Sequence, residues 1–251
     1  MIIDKLSKSE NETRRRLWKE AFGDRDAFLD DFDRTAFSLE RYRALTIDGK
    51  VVSALYFFDC EYSGGSIAYI YAVATSKAYR GQGLCRRLFD ETHAYLSDRG
   101  YTGAILCPGS DSLFDFYKSM GYSTCTYVNE YEVKAGDGVG VTEINKDEYA
   151  RLRRKYLPEG GVVQERENID FLATFSKFYS GDGFVLTARE EDERLFCAEL
   201  LGNADAAGIT GALGFKSGFF RTPGDGKPFA MYYPLGNKKS KPPTYFGLAF
   251  D

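Results

Sequence analysis

The spacing of apolar positions changes period several times along the chain, and each change marks an element. Residues 11–22 carry Leu17, Trp18, Ala21 and Phe22 on one side at helical spacing, with Gly23 as a stop, and 26–37 predicts a second helix. The period then falls to two. Residues 41–48 and 51–62 predict strands joined at Asp48-Gly49, a dipeptide suited to a tight hairpin because both residues tolerate positive φ. Ser63-Gly64-Gly65 turns the chain into a third strand, 66–75, of alternating small and aromatic residues.

Over 84–96 the period returns to 3.6. Leu84, Cys85, Leu88, Phe89, Thr92, Tyr95 and Leu96 share one face, while Arg86, Arg87, Asp90 and Glu91 take the other. This is a helix laid on a sheet, with Gly100 at its end. Residues 102–107 predict a buried strand, 112–120 a short helix and 122–134 one or two strands. The strand–helix–strand unit from 66 to 107 should be a parallel crossover, since parallel neighbours need a long connection.

The glycine-rich segment 135–140 reads as a linker. Beyond it, 141–144 predicts a strand, 146–156 and 168–179 helices, 183–189 and 194–201 a strand pair, and 209–213 a short helix. Residues 218–221, 229–235 and 245–250 predict further strands. The expected fold class is α+β, with one domain over 1–134 and a smaller α+β lobe over 141–251. The order of elements repeats between the two, although no residue-level repeat is visible.

Composition removes several chemistries. The net charge of −4 is spread evenly over 251 residues, so no basic arm or stripe is present to hold nucleic acid, and none is expected as a partner. His93 is the sole histidine, and Cys60, Cys85, Cys107, Cys125 and Cys197 form no C-x-x-C pair, so neither a metal site nor a disulfide framework is expected. Met1 to Glu10 lacks the pattern of a signal peptide, and no apolar run reaches membrane length. A soluble, cytoplasmic protein with no membrane partner is the expectation.

The chemistry concentrates in Tyr69 to Cys85, YIYAVATSKAYRGQGLC. An apolar strand ends near Thr75, a loop passes Arg80-Gly81-Gln82-Gly83, and an amphipathic helix begins at once. Free backbone N–H groups, the positive end of a helix dipole and a cationic side chain thereby meet in one place, which suits a phosphate-bearing ligand. Two glycines also serve simply to close a tight strand-to-helix turn. The spacing is neither G-x-G-x-x-G nor a Walker loop.

Arg/Gln-x-x-Gly-x-Gly/Ala after an apolar strand resembles the acetyl-CoA signature of the GNAT superfamily of N-acetyltransferases. Some thirty residues on, Leu113-Phe114-Asp115-Phe116-Tyr117-Lys118-Ser119-Met120-Gly121-Tyr122 is similar to that family's second motif. The resemblance covers roughly 1–134. It implies a mixed, mostly antiparallel sheet with a splayed parallel strand pair and flanking helices, and it invites reading the second lobe as a degenerate copy.

The resemblance also implies an activity, transfer of the acetyl group of acetyl-CoA to a small-molecule or peptide amine by direct attack in a ternary complex. Backbone groups of Val73 and Thr75 would bond the pantetheine amides, with the Val73 N–H polarising the thioester carbonyl. Arg80 and the amides of Gly81, Gln82, Gly83, Leu84 and Cys85 would hold the pyrophosphate. Tyr117 would deliver the proton to the departing thiolate; without the motif it reads as a core tyrosine. Cys85 stands where the family has Gly or Ala, and Ser110 where many members carry a cofactor-binding asparagine.

No general base is evident. Asp59, Glu61, a water, or the C-terminal Asp251 are the candidates. The acidic run Asp24, Asp26, Asp30, Asp31 and Asp33 suits either a cationic acceptor or a solvated helix face. Lys238-Lys239-Lys241 reads as an exposed loop and His93 as structural. The rival functions are a catalytically silent acyl-CoA sensor and a transferase of other acyl or aminoacyl groups.

Overall fold

A computed structural model describes residues 6–236 and 240–250. The chain forms two compact units, one of Met1–Cys60, Gly65–Leu106 and Tyr233–Ser240, the other of Glu61–Gly64, Cys107–Tyr232 and Lys241–Asp251. Its elements are, in order, α1 (Lys8–Phe22), α2 (Asp26–Thr35), β1 (Tyr42–Ile47), β2 (Lys50–Tyr62), β3 (Gly65–Thr75), α3 (Leu84–Asp98), β4 (Gly103–Leu106), α4 (Asp111–Lys118), β5 (Ser123–Lys134), β6 (Thr142–Ile144), α5 (Lys146–Tyr156), β7 (Val163–Gln164), α6 (Glu167–Leu172), β8 (Lys177–Gly181), β9 (Phe184–Glu191), β10 (Arg194–Gly202), α7 (Ala206–Ala212), β11 (Ser217–Pro223) and β12 (Lys227–Pro234). The fold is α+β. Among the described residues no helix is long and apolar enough to cross a membrane.

In the first unit the sheet runs β1-β2-β3-β4. The β1–β2 hairpin turns at Asp48 (φ 49°) and Gly49 (φ 70°), both left-handed, as the dipeptide predicts. α1 starts with a reciprocal cap, the Glu10 N–H donating to Ser7 Oγ and the Ser7 N–H to the Glu10 carboxylate, and stops at left-handed Gly23. β2 is buried almost end to end because both its faces are covered. Tyr56 and Phe58 pack with Phe32 of α2, while Phe57 meets Tyr95 of α3.

The second unit's sheet runs β12-β5-β11-β10-β9-β8-β6. β8, β9 and β10 are antiparallel neighbours, and β11 returns parallel to β10 after α7. This is the succession β1-β2-β3, α3, β4 of the first unit. α7 covers one face over a core of Phe184, Leu186, Cys197, Ile209 and Phe220. Residues 135–140 lie in this unit, where the Ala135 and Gly136 N–H groups donate to the Lys216 and Ala207 carbonyls.

Two predicted elements are corrected. The helix expected over 168–179 ends at Leu172, and Lys177–Gly181 is strand β8, paired with β6 and β9. Aromatic residues at 171, 175 and 178 mimic helical spacing, but Phe178 stacks on Tyr149 from the sheet. Residues 245–250 are not a strand. Only a bridge from Tyr245 to Gly161 forms, and the segment is held instead by Gln164, whose amide bonds both Leu248 N and Leu248 O.

Candidate active site

The strand that should carry the reacting group departs from regular geometry. β3 pairs in parallel with β4 only at Ile67↔Gly103, Ala68↔Ala104 and Tyr69↔Ile105, then runs on to Thr75. Ala72 takes φ 48°, a left-handed conformation that costs a non-glycine residue energy and re-aims the backbone on either side. Val73, the expected oxyanion donor, directly follows it. No sequence signal marks Ala72 beyond its small side chain in an aromatic strand.

Neighbours pin the end of β3. Thr75 Oγ1 lies 2.8 Å from Ser53 Oγ, and the Ser76 N–H donates to the Val52 carbonyl at 2.9 Å. Glu20, at the end of α1, accepts the Lys77 N–H at 2.6 Å. The Arg80 Nε–H donates back to the Thr75 carbonyl at 3.0 Å, tying the cation to the strand end. The sequence indicated neither Glu20 nor Ser53, because each acts only through a partner distant in the chain.

The loop then opens the helix. Gly81 and Gly83 have φ 75° and 74°, and a Cβ at either position would meet nothing within 4 Å. Backbone handedness, not crowding, therefore demands glycine. Gly83 is the N-cap of α3; it supplies no side-chain cap, and the first turn holds no acid. The N–H groups that begin α3 consequently remain without a capping side chain, at the positive end of the dipole. Burial pushes the Cys85 thiol up to about 11, eased by a bond with Thr75, so at neutral pH it is a protonated packing group.

The loop, the left-handed strand residue and the uncapped helix all lie within a segment that matches a known family. Residues 3–125 match the family model described as an acetyltransferase (GNAT) domain. Over those residues the chain is similar to a GNAT domain. Its fold is shared by a GCN5-related N-acetyltransferase from Kribbella flavida, 18% identical, with 94% of this chain and 70% of that one covered at a TM-score of 0.72. A probable N-acyltransferase from Enterococcus faecalis V583 is similar too, 18% identical over 92% of this chain and 71% of that one at 0.70. A tandem GNAT protein from the clavulanic acid biosynthesis pathway, 10% identical, covers 91% and 95% at 0.55. No curated protein matches the sequence.

The sequence-predicted residues of the GNAT motifs fall in two groups. Val73, Thr75 and residues 80–85 stand together in the first unit. Ser110 and Tyr117 stand in the second, on α4: Ser110 is the N-cap, its hydroxyl 3.1 Å from Ser112 Oγ, and Tyr117 is buried edge-to-face with Phe116 and Tyr122. Of the candidate bases, Asp59 accepts the Tyr101 hydroxyl and pairs with Arg41 at 3.4 Å. It lies six residues along β2 from Ser53, about 20 Å from the end of β3 at strand rise. Glu61 pairs with Arg166 at 3.8 Å, and Asp251 lies outside the described residues.

Among the weaker signals, His93 stacks on Tyr233 with ring centroids 4.0 Å apart, and burial lowers its pKa to about 4, so it is a neutral packing group. Lys238 and Lys239 lie outside the described residues; the Lys241 carbonyl accepts the Tyr62 hydroxyl at 3.0 Å. The acidic run is paired by side chains of the same two helices. Trp18 Nε1–H holds Asp24 at 2.8 Å, Arg15 reaches Asp26, Asp30 and Asp33 at 3.2, 2.7 and 2.7 Å, and Arg34 holds Asp31 at 2.6 Å.

Proposed function

We propose that this GNAT chain transfers the acetyl group of acetyl-CoA to a primary amine. The observation that carries the reading is the α3 N-terminus, uncapped and free of acids, behind two left-handed glycines at the end of a strand that outruns its parallel partner. These residues fit a pyrophosphate: backbone N–H groups of residues 81–85 and the Arg80 guanidinium would hold it, and Val73 and Thr75 would bond the amide arm. Acetyl-CoA supplies an acyl group already activated as a thioester.

In this reading the Val73 N–H donates to the acyl carbonyl oxygen, and the bulge at Ala72 fixes its direction. Tyr117 delivers a proton to the leaving sulfur. Asp59 and Glu61 are engaged by cations and a phenol, which favours a water relay as the route for the amine proton.

The test is CoA release from acetyl-CoA against a panel of primary amines, alongside CoA binding by calorimetry. Wild type should bind and release. Tyr117→Phe should keep its CoA affinity and lose on the order of 100-fold in kcat. An unchanged kcat removes Tyr117 from the mechanism, and binding without release for every amine favours an acyl-CoA sensor.

A further inference from the structure

Near left-handed Ala72 the first unit exposes one large aromatic side chain beside a run of paired acids. Every aspartate of the run from Asp24 to Asp33 is held by a side chain of α1 or α2, and Glu20 is held by the Lys77 backbone. Asp26 and Asp30 stay 65% and 71% exposed, but with Arg15, Lys19 and Arg34 among them the run offers a polycationic acceptor a mixed rather than an acidic face.

What the last turn of α1 presents instead is Phe22, 46% exposed although large and apolar. Its ring meets Trp18 edge-on at 5.8 Å, and Trp18 meets Tyr71 in the same way at 5.8 Å. Tyr71 is half-buried and directly precedes left-handed Ala72. Phe32 closes the cluster from below, 4.8 Å from Trp18 and 6.2 Å from Tyr71. Three rings thus run from the surface to the bulge, and Glu20, two residues before Phe22, anchors this end of α1 to the loop after β3. Aromatic edges and faces reward an aryl or apolar body, and the ring faces tolerate an ammonium group on its way to the strand.

We infer that the acceptor is a primary amine carried on an aromatic body, of the arylalkylamine type, and that Phe22 and Tyr71 select it. The inference rests on the acetyl-transfer reading above, but its test does not depend on turnover. Trp18 is the sole tryptophan of the chain, so its fluorescence reports occupancy of this surface without CoA. Titration with 2-phenylethylamine should give a saturable change, and titration with spermidine none. In steady state 2-phenylethylamine should exceed spermidine in kcat/KM by at least about tenfold.

Phe22→Ala, at a half-exposed position, should weaken 2-phenylethylamine binding several-fold and leave CoA affinity and the circular dichroism spectrum unchanged. Equal or tighter binding of spermidine, or no loss in Phe22→Ala, overturns the inference. Failure of CoA to bind or be released overturns the acetyl-transfer reading instead, while the fluorescence titration still decides this one.

Discussion

The β3–α3 connection of the first unit and the β10–α7 connection of the second follow the same path and end in opposite chemistry. Each leaves a strand that pairs with its parallel neighbour at three positions, Ile67 to Tyr69 in one and Leu195 to Cys197 in the other. Each strand then becomes irregular, at Ala72 in the first and between Cys197 and Glu199 in the second. The first continues through a glycine loop to a helix with no capping side chain. The second reaches α7 through Asn203, Ala204 and Asp205, and the Asp205 carboxylate accepts the Ala207 N–H at 3.0 Å. The same helix end has no capping side chain in one unit and is satisfied by a resident carboxylate in the other. A shared backbone path therefore does not fix the chemistry at its end; the residues at its turn do.

The irregular strands differ as much. Beside Ala72 stand Tyr71 and an aromatic surface. Past the irregularity of β10 stands Glu199, 1% exposed, gripped by Arg153 at 2.7 and 3.0 Å and by the Tyr149 and Tyr245 hydroxyls at 3.0 and 3.1 Å. Burial and then the Glu199 charge push both phenols well above their ordinary range, so they remain donors. A Cβ on Gly247 would collide with the same carboxylate, which shows how tightly the C-terminal segment closes over it. The second unit spends its polar groups on its own core.

The largest effect is expected there. Glu199→Gln leaves the buried Arg153 guanidinium without a counter-charge and should cost about 3–5 kcal/mol in chemical denaturation. Arg15→Gln, which removes partly exposed pairs from α1, should cost under about 1 kcal/mol. Similar losses for the two variants would break the contrast between a core ion pair and a surface one.

The next effect bears on ligand. Gly83→Asp gives α3 the kind of carboxylate that α7 already has, in the position where the first unit leaves N–H groups uncapped. CoA affinity should fall on the order of 100-fold, and Gly83→Asn, which carries the same backbone strain at φ 74° without the charge, should lose at least about tenfold less. CoA binding at wild-type strength would show that the open helix end is not the anion site.

How much of this the chain discloses in advance depends on the kind of signal. The Asp48-Gly49 hairpin, the α3 stripe and the Arg80 to Gly83 loop are local, and local chemistry is readable from neighbours in sequence. Lys177–Gly181 was not, because an aromatic every three or four residues fits a helix until Tyr149 supplies a stacking partner from elsewhere. The left-handed turn at Ala72 leaves no mark because alanine carries no turn signal, and only its φ of 48° reveals it. Phe22 reads as core on a helical wheel, yet the structure leaves it 46% exposed, and the acids from Asp24 to Asp33 read as free until Arg14, Arg15 and Trp18 are placed against them.

The smallest effect reverses the Gly83 substitution. Asp205→Ala removes the cap of α7 and leaves its first N–H groups open, at a cost of about 1 kcal/mol in unfolding free energy. If an open helix end were all that a CoA site required, the variant would acquire a second site. It should not: the connection after β10 has no Arg-x-x-Gly-x-Gly, no left-handed glycine as the N-cap, and a strand whose irregular segment is filled by the Glu199–Arg153 pair. Calorimetry should therefore give one CoA per chain for wild type and variant alike. A stoichiometry of two would mean that Asp205 alone keeps the second unit from binding, and that its remaining differences from the first are incidental.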